Sequence, residues 1–153
     1  MKKFFTHNEA IEFAEKSWKK YFDAIEISRK IRLLSIQSFG RSANNRSDEG
    51  IIREFEATIK EINPVKENLI LYRGSKEKDF HSNRPFLSTS FLKKTALSFV
   101  NERNSHLYKI LVRKGARVIP TCAMGVMGCE YEQEVVIETN RLHRVGLRTF
   151  IYK

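Results

Sequence analysis

Glu130, Glu132 and Glu134 stand at alternate positions in the run Glu130-Tyr131-Glu132-Gln133-Glu134, which leads straight into Val135-Val136-Ile137. In an extended chain successive side chains point to opposite faces, so the three carboxylates would share one face at roughly 7 Å intervals. Like charges so arranged repel, and the arrangement stabilises nothing by itself. It becomes intelligible if a cation, or a group becoming cationic during a reaction, is held between them. A solvated strand edge is the competing reading, and the run alone does not choose.

Two other groups can do chemistry. Arg73 closes the apolar stretch Asn68-Leu69-Ile70-Leu71-Tyr72, with Gly74 directly behind it. A guanidinium there can hold phosphate or carboxylate through paired N–H donors, and glycine lets a ligand approach the backbone closely. A surface ion pair is the plainer alternative. Ser88, Thr89 and Ser90 follow Phe86-Leu87. Alternation turns Ser88 and Ser90 to one face and Thr89 to the other, and short hydroxyls on a strand can orient a neighbouring carboxylate. Ordinary sheet packing accounts for the triplet as well.

These groups must be positioned by elements whose periods change along the chain. Thr6 and Glu9 have capping-box spacing, ahead of Ile11, Phe13, Ala14, Trp18, Tyr21, Phe22 and Ile25 at helical spacing. Ile27, Ile31, Leu34 and Ser38 suggest a second helix, and residues 40–50 a polar loop. Asp48 could cap a third helix carrying Ile51, Ile52, Phe55, Ile59 and Ile62, stopped by Asn63-Pro64. After Pro64 the reading turns to strands at 68–74, 85–90, 107–112, 117–119, 133–139, 142–147 and 149–152. A short helix at 93–100 interrupts them, with Ala96, Leu97 and Phe99 as apolar contacts, and 76–84 is a charged loop. Helices first and strands afterwards is an α+β order. At 153 residues the chain is expected to be one domain, with a mainly helical front at 1–64 and a strand-rich core at 65–153.

The net charge of +10 favours an acidic partner, such as a nucleic acid, ribosome, polymerase or anionic ligand. A basic surface that only aids solubility explains the number equally well. Cys122 and Cys129 lack a second pair and a histidine at ligand spacing, so neither zinc nor a disulfide framework is expected. His7, His81, His106 and His143 are dispersed and suggest no metal site. Met1 to Glu9 begins like a signal peptide but turns polar after Phe4-Phe5, and no run reaches transmembrane length. A cytoplasmic protein is the expectation, with secretion or injection as an alternative.

Arginine at a strand end, then Phe-x-Ser-Thr-Ser, then Glu-x-Glu before a Val/Ile strand resembles the Arg-Ser-Glu class of mono-ADP-ribosyltransferases. That class includes the catalytic domains of clostridial binary toxins and small transferases of tailed bacteriophages. The resemblance extends over most of the chain, including the helix after Ser90 and the Gly-rich loop before the glutamates. It implies the class's split two-sheet α+β core with an N-terminal helical subdomain, and NAD+ as co-substrate without a metal. By the same resemblance Glu134 is the catalytic carboxylate, on the 2′-hydroxyl of the nicotinamide ribose. Glu132 receives the acceptor guanidinium. Arg73 binds the NAD phosphates, and Gly74 offers backbone to the nicotinamide amide. Ser88 holds Glu134, while Thr89 and Ser90 support NAD and strand geometry. Glu130 with Glu132 also satisfies Glu-x-Glu; the register Glu132 with Glu134 is preferred because the apolar strand follows Glu134 directly.

Glu-x-Glu, rather than Gln-x-Glu, points to an arginine acceptor, since carboxylate pairs with guanidinium. The acceptor suggested is a host transcription or translation protein, in RNA polymerase or the ribosome, which would suit a phage enzyme taking over its host. A toxin subunit fits the same residues. Two rivals stay open: an NAD glycohydrolase of the same fold, and a non-catalytic basic module that contacts nucleic acid directly. No membrane partner is expected.

Overall fold

The computed structural model describes residues 1–33, 49–76, 84–101, 103–125 and 133–153. Helix α1 (His7–Ala24) opens where Thr6 and Glu9 predict it, and the Thr6 hydroxyl accepts the Glu9 N–H at 3.2 Å. Glu9 completes the cap one residue further out than a capping box requires, accepting the Phe5 N–H at 3.1 Å. Ala10, Ala14, Trp18 and Phe22 recur every four residues and form its buried stripe. Ile11, Phe13, Tyr21 and Ile25 pack only at the margins of that stripe. Replacing Thr6 by Ala removes the cap acceptor and should cost about 1 kcal/mol in urea unfolding, with an unchanged m-value.

Helix α2 (Ile27–Leu33) corrects the sequence reading, because Ile27 and Ile31 are 65% and 59% exposed. Arg29 and Leu33 form a second stripe, two positions and therefore about 200° around the helix from the isoleucines, so both cannot face inward. Leu33 is fully buried, and Arg29 bonds Glu54 at 2.5 Å and Glu61 at 3.1 Å. This charge-assisted anchoring selects the Arg29 face. Leu34, Ser38 and Asp48 lie outside the described residues. Helix α3 (Glu49–Glu61), which supplies both carboxylates, buries Phe55, Thr58 and Ile59 and ends ahead of Asn63-Pro64 as expected. Tyr21 donates to Glu61 at 2.9 Å; burial, and then this carboxylate, push its phenol up to about 12.

The strands are β1 (Leu69–Lys76), β2 (Phe86–Ser90), β3 (Ser105–Val112), β4 (Glu134–Glu138), β5 (Leu142–Gly146) and β6 (Thr149–Tyr152). They form one curled sheet in the order β4-β2-β1-β3-β6-β5. The expected split shows in its ladders. β1 is in register with β3 along its whole length, from Leu69↔Val112 to Lys76↔Ser105. β2 and β4 pair through five residues, yet β1 meets β2 at the single pair Tyr72↔Ser90. The N-terminal segment fills the notch where these halves part. Lys2 bridges Leu69 and Phe4 bridges Leu92, while the buried Phe4 ring packs on Phe13 and Phe91 with centroids 4.9 and 5.2 Å away.

Two expected elements differ. Residues 117–119 form no strand; Ile119 makes one isolated bridge to Val136, and Pro120 behind it has no N–H for a ladder. Helix α4 is only Lys93–Leu97, since Ser98, Phe99 and Val100 donate three residues back and tighten the chain into a turn. Leu97 and Phe99 are therefore about half exposed, and Ala96 alone of the expected trio is buried. Among the described residues no helix is long and apolar enough to cross a membrane.

Candidate active site

Glu134 is the first residue of β4 and is 7% exposed. Each of its carboxylate oxygens accepts a hydroxyl: Ser88 Oγ donates to Oε2 at 2.6 Å, and Thr121 Oγ1 donates to Oε1 at 2.6 Å. In the ladder Ser88 lies opposite Val136 and Ser90 opposite Glu134, so Ser88 reaches the carboxylate diagonally from the same sheet face. Thr121 comes from a 3-10 turn (Thr121–Ala123) held close because Ile119 exchanges both backbone bonds with Val136. Two donors from different elements fix the plane of the carboxylate before any ligand arrives.

Arg73 joins this group across the split in the sheet. Its Nη1 donates to the Ser88 carbonyl at 2.6 Å. A guanidinium, a serine hydroxyl and a strand-end acid, 15 and 46 residues apart along the chain, are thus linked through Ser88. The surroundings are polar and strongly oriented, with a positive group on one side and a clamped negative group on the other. Such a pair can stabilise a ligand that carries both a developing cation and an anionic segment.

Gln133 sets how β4 enters the site. Its backbone is left-handed, φ 45°, and its side chain is buried. Thr95 donates to its Oε1 at 2.6 Å, its amide nitrogen lies 2.5 Å from His7 Nδ1, and its carbonyl accepts the Phe91 N–H. With Thr95 occupying the oxygen, the amide nitrogen is the end of the side chain that faces His7. Gln133 therefore pins the point from which Glu134 departs to the start of α1 and to α4.

No family model matches the chain, and no curated protein does. Solved structures do. Plx2a, an ADP-ribosyltransferase toxin from Paenibacillus larvae, superposes with a TM-score of 0.66 at 14% identity, over 99% of this chain and 98% of its own. The Clostridium limosum C3 exoenzyme gives 0.65 at 16% identity, over 100% and 97%. Exoenzyme S from Pseudomonas aeruginosa, solved with human 14-3-3 protein beta and bound to Carba-NAD, gives 0.57 at 12% identity, over 95% and 85%.

The chain has the ADP-ribosyltransferase fold.

Within this fold, most of the residues singled out in the sequence stand near one another, with some changed parts. Arg73, Ser88 and Glu134 are brought together by the bonds from Arg73 to Ser88 and from Ser88 to Glu134. Thr89 and Ser90 spend their hydroxyls on the backbone: Thr89 donates to the Val135 carbonyl at 2.6 Å, and Ser90 accepts the Leu92 N–H at 3.1 Å. Gly74 has a protein neighbour on its Cβ side. A Cβ built there would lie 2.0 Å from the Ala96 carbonyl oxygen and 2.8 Å from a Val100 methyl, so on that side the missing side chain makes room for α4. Glu130, Tyr131 and Glu132 lie outside the described residues, as does Cys129. Among the described residues no group of three His, Cys, Asp or Glu is placed to hold a metal.

Thr121 and Gln133 were not anticipated as parts of the site. Thr121 lies thirteen residues before its partner in a stretch with no motif; its only signal is a hydroxyl placed just after Pro120. Thr121→Val keeps the shape and deletes one of the two donors. If the carboxylate is catalytic, turnover should fall roughly 10- to 100-fold while the thermal midpoint moves by a few degrees at most. Unchanged turnover would show that Ser88 alone suffices.

Proposed function

We propose that the protein is a mono-ADP-ribosyltransferase that transfers ADP-ribose from NAD to an arginine of a target protein and releases nicotinamide. The observation that carries this reading is the Glu134 carboxylate held by the Ser88 and Thr121 hydroxyls, with Arg73 bonded to Ser88, at the junction of the two half-sheets. Cleavage of the nicotinamide–ribose bond leaves a cationic ribosyl centre, and a fixed carboxylate beside it lowers that barrier. In this reading Glu134 accepts the 2′-hydroxyl of the nicotinamide ribose, and Ser88 and Thr121 are its positioning residues. Arg73 binds the diphosphate, and the Gly74 backbone meets the nicotinamide amide. Thr89 and Ser90 keep the strand geometry that supports NAD. Glu132 presents a carboxylate to the incoming arginine, the choice of acceptor following from Glu-x-Glu.

The net charge of +10 favours an acidic or nucleic-acid-bound target, and a host transcription or translation protein fits that description. Incubating the protein with labelled NAD and a bacterial lysate tests the proposal. Labelled protein bands whose label is released by hydroxylamine at the rate of arginine adducts are expected. Free ADP-ribose without labelled protein would make it an NAD glycohydrolase, and intact NAD would refute both activities.

A further inference from the structure

Beside the candidate active site, on the other side of β1, lies a groove of about 420 Å³ whose charge is all of one sign. Lys3 comes from the N-terminal segment, Lys93 from the start of α4, Lys109 from β3 and Arg148 from the β5–β6 turn. No acidic residue lines it among the described residues, and none of these four cations forms an ion pair among them. Four separate elements thus converge on one hollow with uncompensated positive charge, which costs stability unless an anion enters. The rim carries Phe5, 72% exposed, with the Lys3 ammonium 5.2 Å from its ring centroid, and Tyr72 forms part of the floor.

We infer that this groove binds a short stretch of single-stranded nucleic acid, with Lys3, Lys93, Lys109 and Arg148 on its phosphates and Phe5 stacking on a base. Cations lining a groove with an exposed ring at its edge are what sequence-tolerant single-strand binding requires. An acidic peptide would use the cations but give the Phe5 face little to do. The groove is also aligned with the active site. Lys109 pairs with Tyr72, Tyr72 with Ser90 and Ser90 with Glu134, a single row across the sheet. At about 4.8 Å per strand, Tyr72 sits roughly 10 Å from Glu134. A strand held in the groove would bring a nucleic-acid-bound protein to the carboxylate, so the site favours targets carried on RNA or single-stranded DNA.

Fluorescence anisotropy with an end-labelled ten-residue oligouridylate tests this. Binding should weaken with salt at a log–log slope near −3, as expected for about four phosphate contacts on a single strand. The Lys109→Glu, Arg148→Glu pair should weaken binding at least about tenfold and flatten the slope, with a smaller loss of the same sign for the pair of Gln substitutions. Phe5→Ala should cost roughly tenfold with the slope unchanged. NAD turnover on a free small acceptor should stay as in the parent protein, which keeps a failure here separate from a failure of the proposed activity. Absence of binding at low salt, or binding indifferent to the charge reversals, overturns the inference. Equal displacement by polyglutamate of matched charge would make the groove an acidic-peptide site instead. Displacement by saturating NAD would make it part of the dinucleotide site.

Discussion

Glu134→Gln is expected to lower both nicotinamide release and transfer to arginine by about 10²- to 10³-fold or more. The substitution is close to isosteric: of the Ser88 and Thr121 hydroxyls, which bond different carboxylate oxygens, one can keep donating to the amide oxygen while the other rotates to accept from the NH2. The fold should therefore survive, with a thermal midpoint within a few degrees of the parent. Under the proposed reaction, what disappears is the negative charge beside the ribosyl cation, and preorganised charge of this kind is where such a reaction gains most of its rate. Glu132→Gln should behave differently, losing transfer to arginine while retaining part of the hydrolysis of NAD. The comparison is made by following nicotinamide release with and without agmatine as acceptor. Parallel losses in the two variants would falsify the division of roles between the two glutamates.

Gly74→Ala should be the most damaging glycine-to-alanine change among the described residues. The new Cβ would lie 2.0 Å from the Ala96 carbonyl oxygen, and a backbone atom cannot turn aside as a side chain can. Either α4 moves off β1 or the strand shifts out of its ladder with β3, where Gly74 pairs with Leu107. Overpacking typically costs 1–3 kcal/mol, and a clash this short with backbone should reach or exceed about 3 kcal/mol. Differential scanning calorimetry would then show a fall of about 6–12 °C, given roughly 2–4 °C per kcal/mol for a domain this size. Activity should drop with it, because Arg73 is the adjacent residue and α4 carries the Thr95 that holds Gln133. A midpoint within 2 °C of the parent would mean that the approach of α4 is looser than the structure has it.

Much of this site was legible because strands write their faces into alternate residues. Ser88 and Ser90 on one face, Thr89 on the other, and Glu134 at the head of an apolar run could be read directly, and the ladder Ser90↔Glu134 agrees. Less accessible was anything decided by partners remote in the chain. Thr121 reaches Glu134 only because Ile119 is stitched to Val136, a pairing no local pattern announces. Helix α2 turned the opposite way from its isoleucines because Glu54 and Glu61, on another helix, capture Arg29. Phe99 read as a core residue by spacing, yet the chain leaves the helix just before it, at Ser98. Gly74 was marked as a position of close approach to the backbone, and where its Cβ would lie the approaching group is the Ala96 carbonyl, which no local pattern foretells. Periodicity reports which face a residue takes and is silent about who occupies the other side.

The solitary rung between β1 and β2 has a mechanical implication. Each half of the sheet is cross-braced by several rungs, so bending should concentrate at Tyr72 and Ser90, where among the described residues one ladder pair, the Arg73–Ser88 bond, the inserted N-terminal residues and the packing of α4 join the halves. The molecule is then a pair of jaws with its hinge at the chemistry, and a dinucleotide spanning both jaws would stiffen it. Amide hydrogens at the Tyr72–Ser90 rung should exchange faster than those in the rest of the β1–β3 ladder in the ligand-free protein, and slow most when the jaws are occupied.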